Sequence, residues 1–147
     1  MTLSDRTLAQ WTPRATAMLR IVTAFLFIQH GTAKLFGFPH LAMFDGLDVF
    51  SLRGVAGMLE VVCGPLLLVG LFTRSTAFVL SGLMAFAYFI GHATKETLLS
   101  PILNHGESAV LFCFIFLFFA AAGPGAWSLD AARGGGWLRR LKSEGIG

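Results

Sequence analysis

The chain has 147 residues, of which 55% are apolar and 13% charged, with a mean hydropathy of +0.72. That is one domain's length, but an ordinary soluble domain devotes about 25% of its residues to charge. The 15 phenylalanines would overfill so small a core, whereas lipid accepts them. The formal charge of +3 is gathered mainly at the two ends, and no nucleic-acid motif accompanies it. Composition therefore excludes a nucleic-acid partner and predicts an integral membrane domain whose main partner is the lipid bilayer.

Taken in chain order, four stretches approach the about 20 mostly apolar residues that cross roughly 30 Å of hydrocarbon. They are residues 15–36, 54–72, 75–93 and 106–122. Pro13 is expected just before the first, where its missing N–H costs little, and Gly37 and Pro39 stop that span. The connection at 37–53 is the long one, and "HLAMFDGLDVFSLRG" within it is amphipathic, suited to the membrane surface or to folding over the helix ends. "GLFTR" (70–74) predicts a tight turn between the second and third spans, and "GPG" (123–125) ends the fourth. The fold class is all-α: a membrane-spanning, antiparallel four-helix bundle formed by a single domain over residues 1–147. A signal peptide ending at "GTA" (31–33) is the alternative for the first span, but the run is long and Gln29 and His30 crowd the cleavage site.

Lysine and arginine set the orientation. Arg6, Arg14, Arg74, Arg133, Arg139, Arg140 and Lys142 fall on one side, with Arg20 a turn inside. Arg53 and Lys95 fall on the other, with Lys34 at a helix end. The heavier side is assigned to the cytoplasm, which puts both termini inside a bacterial inner membrane. Residues 126–147 then form an interfacial or solvated cytoplasmic tail, its tryptophans at headgroup depth.

The first span ends "FIQHGT" (27–32) and the third "FIGHAT" (89–94), a short internal match that sets His30 and His92 at equivalent depths. In an up-down bundle, His30, Lys34, Arg53, Glu60, Tyr88, His92, Asn104, His105 and Glu107 all fall in one half of the membrane, the outer half by charge. The inner half offers Arg20, Thr23 and small hydroxyls, without an acid or a histidine. Most of these residues have mild explanations as wet helix ends or snorkelling chains. Glu60 does not, because at a rise of about 1.5 Å per residue it lies roughly 10 Å inside its span. A charged acid there costs a few kcal/mol unless paired, protonated or wetted. Lys34, Arg53, His30 and His92 are its candidate partners. Gly57 and Gly64 flank it at a spacing that lets a neighbouring helix approach, and Pro65 frees the carbonyl of Val61. Cys63 and Cys113 fall in apolar runs, as small buried hydrophobes do, without a Cys-x-x-Cys motif. Glu60, His30, Lys34 and His92 are thus the candidates for proton chemistry. Tyr88, Glu107, His105 and Arg53 are the candidates for holding a ligand, and no metal set is assigned.

"HGTAK" (30–34), "GMLEVVCGPLLLVGLFTR" (57–74), "NHGE" (104–107) and "GPGAWSLD" (123–130) occur in an order and spacing that resemble the DoxX family of small four-helix bacterial membrane proteins. The likeness covers about residues 15–131, and His105 stands where the family often has glycine. The resemblance carries a site at His30, Lys34, Glu60 and Glu107, and implies a quinone- or thiol-linked oxidoreductase subunit. Quinone reduction couples electrons to protons, and a buried acid beside histidines can relay them. Phe27, Phe36, Phe89 and Tyr88 are the rings expected to flank a quinone. No flavin, haem-attachment or iron–sulfur motif is present, so electrons would come from a redox partner protein or a small substrate. Two other readings stand beside it. One is a haem or zinc site built on His30 and His92. The other is a non-enzymatic module, either a small-solute carrier or an assembly subunit, in a complex or a homo-oligomer.

Overall fold

The computed structural model describes residues 3–134. Four α-helices, α1 (Leu3–Phe36), α2 (Leu52–Val69), α3 (Thr73–Gly91) and α4 (Glu107–Ala122), follow one another, with a 3-10 turn at Ala42–Phe44. Among the described residues the regular structure is entirely helical. The basic cluster at Arg139, Arg140 and Lys142 lies outside them.

The helix ends are set by local chemistry. Ser51 caps α2, its hydroxyl accepting from Gly54 N at 3.2 Å. Gly70, at φ 68°, closes α2 with its N–H bonded back to Leu66 and Leu67, a left-handed conformation that glycine adopts without strain. Asp130 explains why α3 begins at Thr73 rather than near residue 75: its carboxylate accepts from Phe72 N (2.9 Å) and Thr73 N (2.8 Å). At the same end of the bundle, Arg74 in the first turn of α3 donates to the carbonyls of Ala120 and Ala121 in the last turn of α4, at 2.9 and 2.5 Å. A cation there also complements the helix dipole.

The expected place of Pro13 needs correction. Helix α1 runs straight through Pro13 and starts at Leu3, ten residues earlier than the proline suggested. Proline forfeits a single helical hydrogen bond. Thr12 and Thr16 return hydroxyl bonds to Leu8 O and Thr12 O, and Pro13's own carbonyl accepts from Ala126 N at 2.8 Å. Beyond α4, residues 124–130 stay against the bundle. They fold back under the helix ends, Asp130 N bonding Gly70 O, and residues 129–134 start another helical segment behind Ser128. Arg20, wholly buried, ties that segment down by donating to Pro124 O (2.6 Å) and Trp127 O (2.9 Å).

α1 lies against α2 and α3 against α4, while α2 and α3 touch less closely. Contacts fix the directions: Gly57 meets Lys34, Gly31 meets Glu60, and Gly64 meets Ile28, so α1 and α2 run antiparallel. Ser81 with Cys113 and Arg74 with Ala121 give the same sense to α3 and α4. The core is formed by Ala24, Phe27, Leu67, Ala77, Leu80, Met84, Phe116 and Phe119. The outward faces carry exposed Phe25, Phe78, Leu111 and Phe114, a surface that suits hydrocarbon rather than water. α2 and α3 are long and apolar enough to cross a membrane. At 18 and 19 residues they span roughly 27 and 28 Å. α4 is a shorter apolar helix.

Candidate functional site

The close approach of α1 to α2 positions the central acid. A β-carbon on Gly31 would stand 2.8 Å from Glu60 Cβ, and one on Gly57 would stand 3.0 Å from Lys34 Cβ. Each glycine lies three residues before the charged residue on its own helix, so both charges are on the packed faces. Lys34 Nζ reaches Glu60 Oε1 at 2.5 Å. Glu60 is 1% exposed and Lys34 14%. The second carboxylate oxygen, Oε2, is buried with no partner among the described residues. A charge-assisted bond of this kind is stronger than a neutral one, and it engages only one of the two carboxylate oxygens.

Glu60 and Lys34 stand on the wall of a cavity of about 560 Å³ that also includes His30, Arg53 and His92. Phe27 and Met84 belong both to this wall and to the core beneath it, so they form its apolar floor. The loop after α1 folds over the helix ends, with the Phe44 ring 5.9 Å from Lys34 Nζ. Lys34, Leu41 and Phe44 also border a second cavity of about 270 Å³, which reaches Asp45 and Gly46. His92 Nδ1 lies 3.1 Å from Asn104 O. A carbonyl only accepts, so the neutral ring carries its proton on Nδ1 and leaves Nε2 as an acceptor.

The structure leaves Tyr88, His105 and Glu107 off that wall. Tyr88 is buried, with its hydroxyl donating to Leu98 O at 2.7 Å and accepting from Asn104 Nδ2 at 3.3 Å. It pins the loop between α3 and α4. His105 is exposed at φ 56°, and Glu107 is exposed in the first turn of α4, where a negative charge suits the helix dipole. Of the rings expected around a ligand only Phe27 lines the cavity, since Phe36 and Phe89 face outward. The wall takes Phe44, Phe86 and Phe112 instead. An apolar helix such as α4, phenylalanine-rich on every face, gives no periodic signal that would single out Phe112. Among the described residues, no three of His, Cys, Asp and Glu gather into a set able to hold a metal ion. Cys63 and Cys113 are free thiols packed against the core.

Comparison with known proteins adds family to geometry. No solved structure matches the chain. A protein of Haemophilus influenzae, described as uncharacterized, is 47% identical over 126 residues, covering 84% of this chain and 93% of the relative. The DoxX family model matches residues 15–93, the stretch that contains His30, Lys34, Glu60 and His92. With that match and the outward apolar faces together, the chain belongs to the DoxX family of membrane proteins.

Proposed function

We propose that this protein is a multi-pass bundle of four antiparallel helices in the bacterial inner membrane, and that its cavity binds a quinone and exchanges protons with it. One observation carries the reading: a buried carboxylate with one oxygen on a lysine and the other unpaired, on the wall of a cavity with an apolar floor. A quinone ring needs apolar surface for its faces and hydrogen-bonding groups for its two oxygens. Phe27, Phe112 and Met84 offer the first. His30, Lys34, Glu60 and His92 offer the second.

Reduction of a quinone to a quinol takes up two electrons and two protons, and oxidation of two thiols to a disulfide releases the same number of each. A thiol-bearing donor would therefore balance the reaction without a resident redox group in this chain. Glu60 and the histidines are the proton-handling groups. The donor, whether a small thiol or a partner protein, is the oxidoreductase half of the proposal.

The test is a titration of the full chain in nanodiscs with a short-chain benzoquinone, followed by quenching of intrinsic fluorescence. Saturable binding is expected in the wild type. Glu60→Gln keeps the size of the side chain and should fold, yet weaken binding about tenfold, the loss of roughly one charge-assisted hydrogen bond. A Glu60→Gln variant that binds as the wild type does would remove the acid from the site.

A further inference from the structure

The two flanks of the cavity are built from different side chains. Between α1 and α4, Phe27 sets its ring edge-on against Phe112 and Phe116 at centroid distances of 5.5 and 4.9 Å, and His30 meets Phe112 at 6.0 Å. These ring contacts bridge that flank. Helix α2 carries no aromatic ring, so the flank between α2 and α3 is packed by aliphatic side chains on the α2 side. The two helices share the core near their connecting turn through Leu67 and Leu80. Towards their far ends, Leu52 and Val55 on α2 and Phe86 and Ile90 on α3 belong to the cavity wall. The same four are exposed, Val55 at 42% and Ile90 at 63%. On the flank between α1 and α4 the exposed wall residues are the polar His30 and Ser108, so apolar side chains that are both wall and exposed mark the α2–α3 side as the lipid-facing opening. Its four side chains are apolar, so it faces lipid at no desolvation cost.

Arg53 is also on the wall, next in sequence to Leu52, and is exposed. It forms no ion pair among the described residues. It gives the mouth a hydrogen-bond donor for the acceptor oxygens of an incoming head group.

We infer that the gap between α2 and α3 is a lateral doorway from the lipid, and that the ligand of the site is a chain-bearing amphiphile. Its head lies against Glu60, Lys34 and His30, and its hydrocarbon chain leaves between Val55 and Ile90. The inference rests on the quinone reading of the cavity and specifies the form of that ligand. A cavity of about 560 Å³ suits one ring and its substituents. A long isoprenoid chain does not fit beside it, so the chain has to exit, and the apolar doorway is where it can do so without meeting charge.

The experiment uses the full chain in nanodiscs and two photoreactive probes, both benzoquinones with a decyl chain. One carries its diazirine on the ring, the other at the chain end. The ring probe is expected to label peptides containing His30 or Phe112, and the chain probe peptides containing Val55 or Ile90, each competed by unlabelled decyl-benzoquinone. Competed ring labelling together with chain labelling confined to the outer faces of α1 or α4 would overturn the doorway while leaving the site standing. Ring labelling that avoids the cavity would overturn the quinone reading itself. Val55→Trp, filling the doorway, should slow association of decyl-benzoquinone about tenfold. Val79→Trp, exposed but off the cavity wall, should not. Equal rates for the two variants would count against the doorway, and the labelling of wild-type protein decides the question if Val55→Trp does not fold.

Discussion

Lys34 and Glu60 set the energetics at the scale of single residues. Removing one partner of a buried pair strands the other charge, at a cost of roughly 3–5 kcal/mol, while removing both is far milder. Lys34→Met should therefore lower the melting temperature of the purified protein strongly. Adding Glu60→Gln to it should restore most of the loss, a non-additivity expected of groups that share one bond. Equal melting of Lys34→Met and wild type would mean that the pair does not hold α1 to α2. The ion pair is also why Glu60 can be tolerated at its depth, since each charge supplies the counter-ion that the surroundings cannot.

Two devices act at the scale of elements. The first is the close seam of α1 and α2, where a β-carbon added at Gly31 would stand 2.8 Å from Glu60 Cβ and 2.9 Å from Val61 N. Gly31→Ala puts a methyl against backbone, which cannot swing aside. It should cost about 1–3 kcal/mol by overpacking and disturb the Lys34–Glu60 bond, both measurable by thermal melting and quinone titration. The second is the strap at 124–130, through which Asp130 caps α3. Burial pushes the Asp130 carboxyl up, but bonds from the Thr73 and Phe72 N–H groups and the charge of Arg133 outweigh it and hold it below the usual carboxylate range. A depressed carboxylate contributes stability above its unfolded pKa, and that stability is lost as pH falls through the folded value. The wild type should therefore melt higher than Asp130→Asn at neutral pH, and the difference should shrink below about pH 4, the unfolded carboxylate value. A difference that stays constant down to the lowest pH at which both fold would exclude the charged cap.

The whole molecule is polarised along its helices. Arg53, Lys34, Glu60 and the histidines gather at one end, and Arg20, Arg74 and Asp130 at the other. The two ends do different things: the first encloses a cavity, whereas the second is a capping network whose donors and acceptors are largely spent on helix termini. The proposed topology assigns the capped end to the cytoplasm, in line with the basic residues clustered there. Reporter fusions after Asp45 and after Thr97 are expected outside, and a fusion after Lys142 inside. An outside position for Lys142 would reverse the orientation without separating the residues of the cavity.

Much of the helical plan is legible in the chain, because apolar run length, glycine and proline are local signals. The α-helical class, the four apolar stretches, the stop at Gly37 and the turn at Gly70 all follow from them. The depth of Glu60 also follows from counting residues along a helix, and it is enough to demand a partner. Which partner is a tertiary matter: Lys34 reaches Glu60 because Gly31 and Gly57 let two backbones approach, and no spacing rule chooses it over His30 or Arg53. The wall of the cavity is likewise decided by packing. Tyr88, His105 and Glu107 share the end of the molecule with His30 and His92, but the loop between α3 and α4 takes Tyr88 for its own hydrogen bonds and turns the other two outward. Asp130 lies beyond the last span in sequence, yet completes the first turn of α3 once residues 124–130 fold back. Local patterns determine where a helix runs, while the identity of a neighbour from a distant part of the chain exists only after the helices have met.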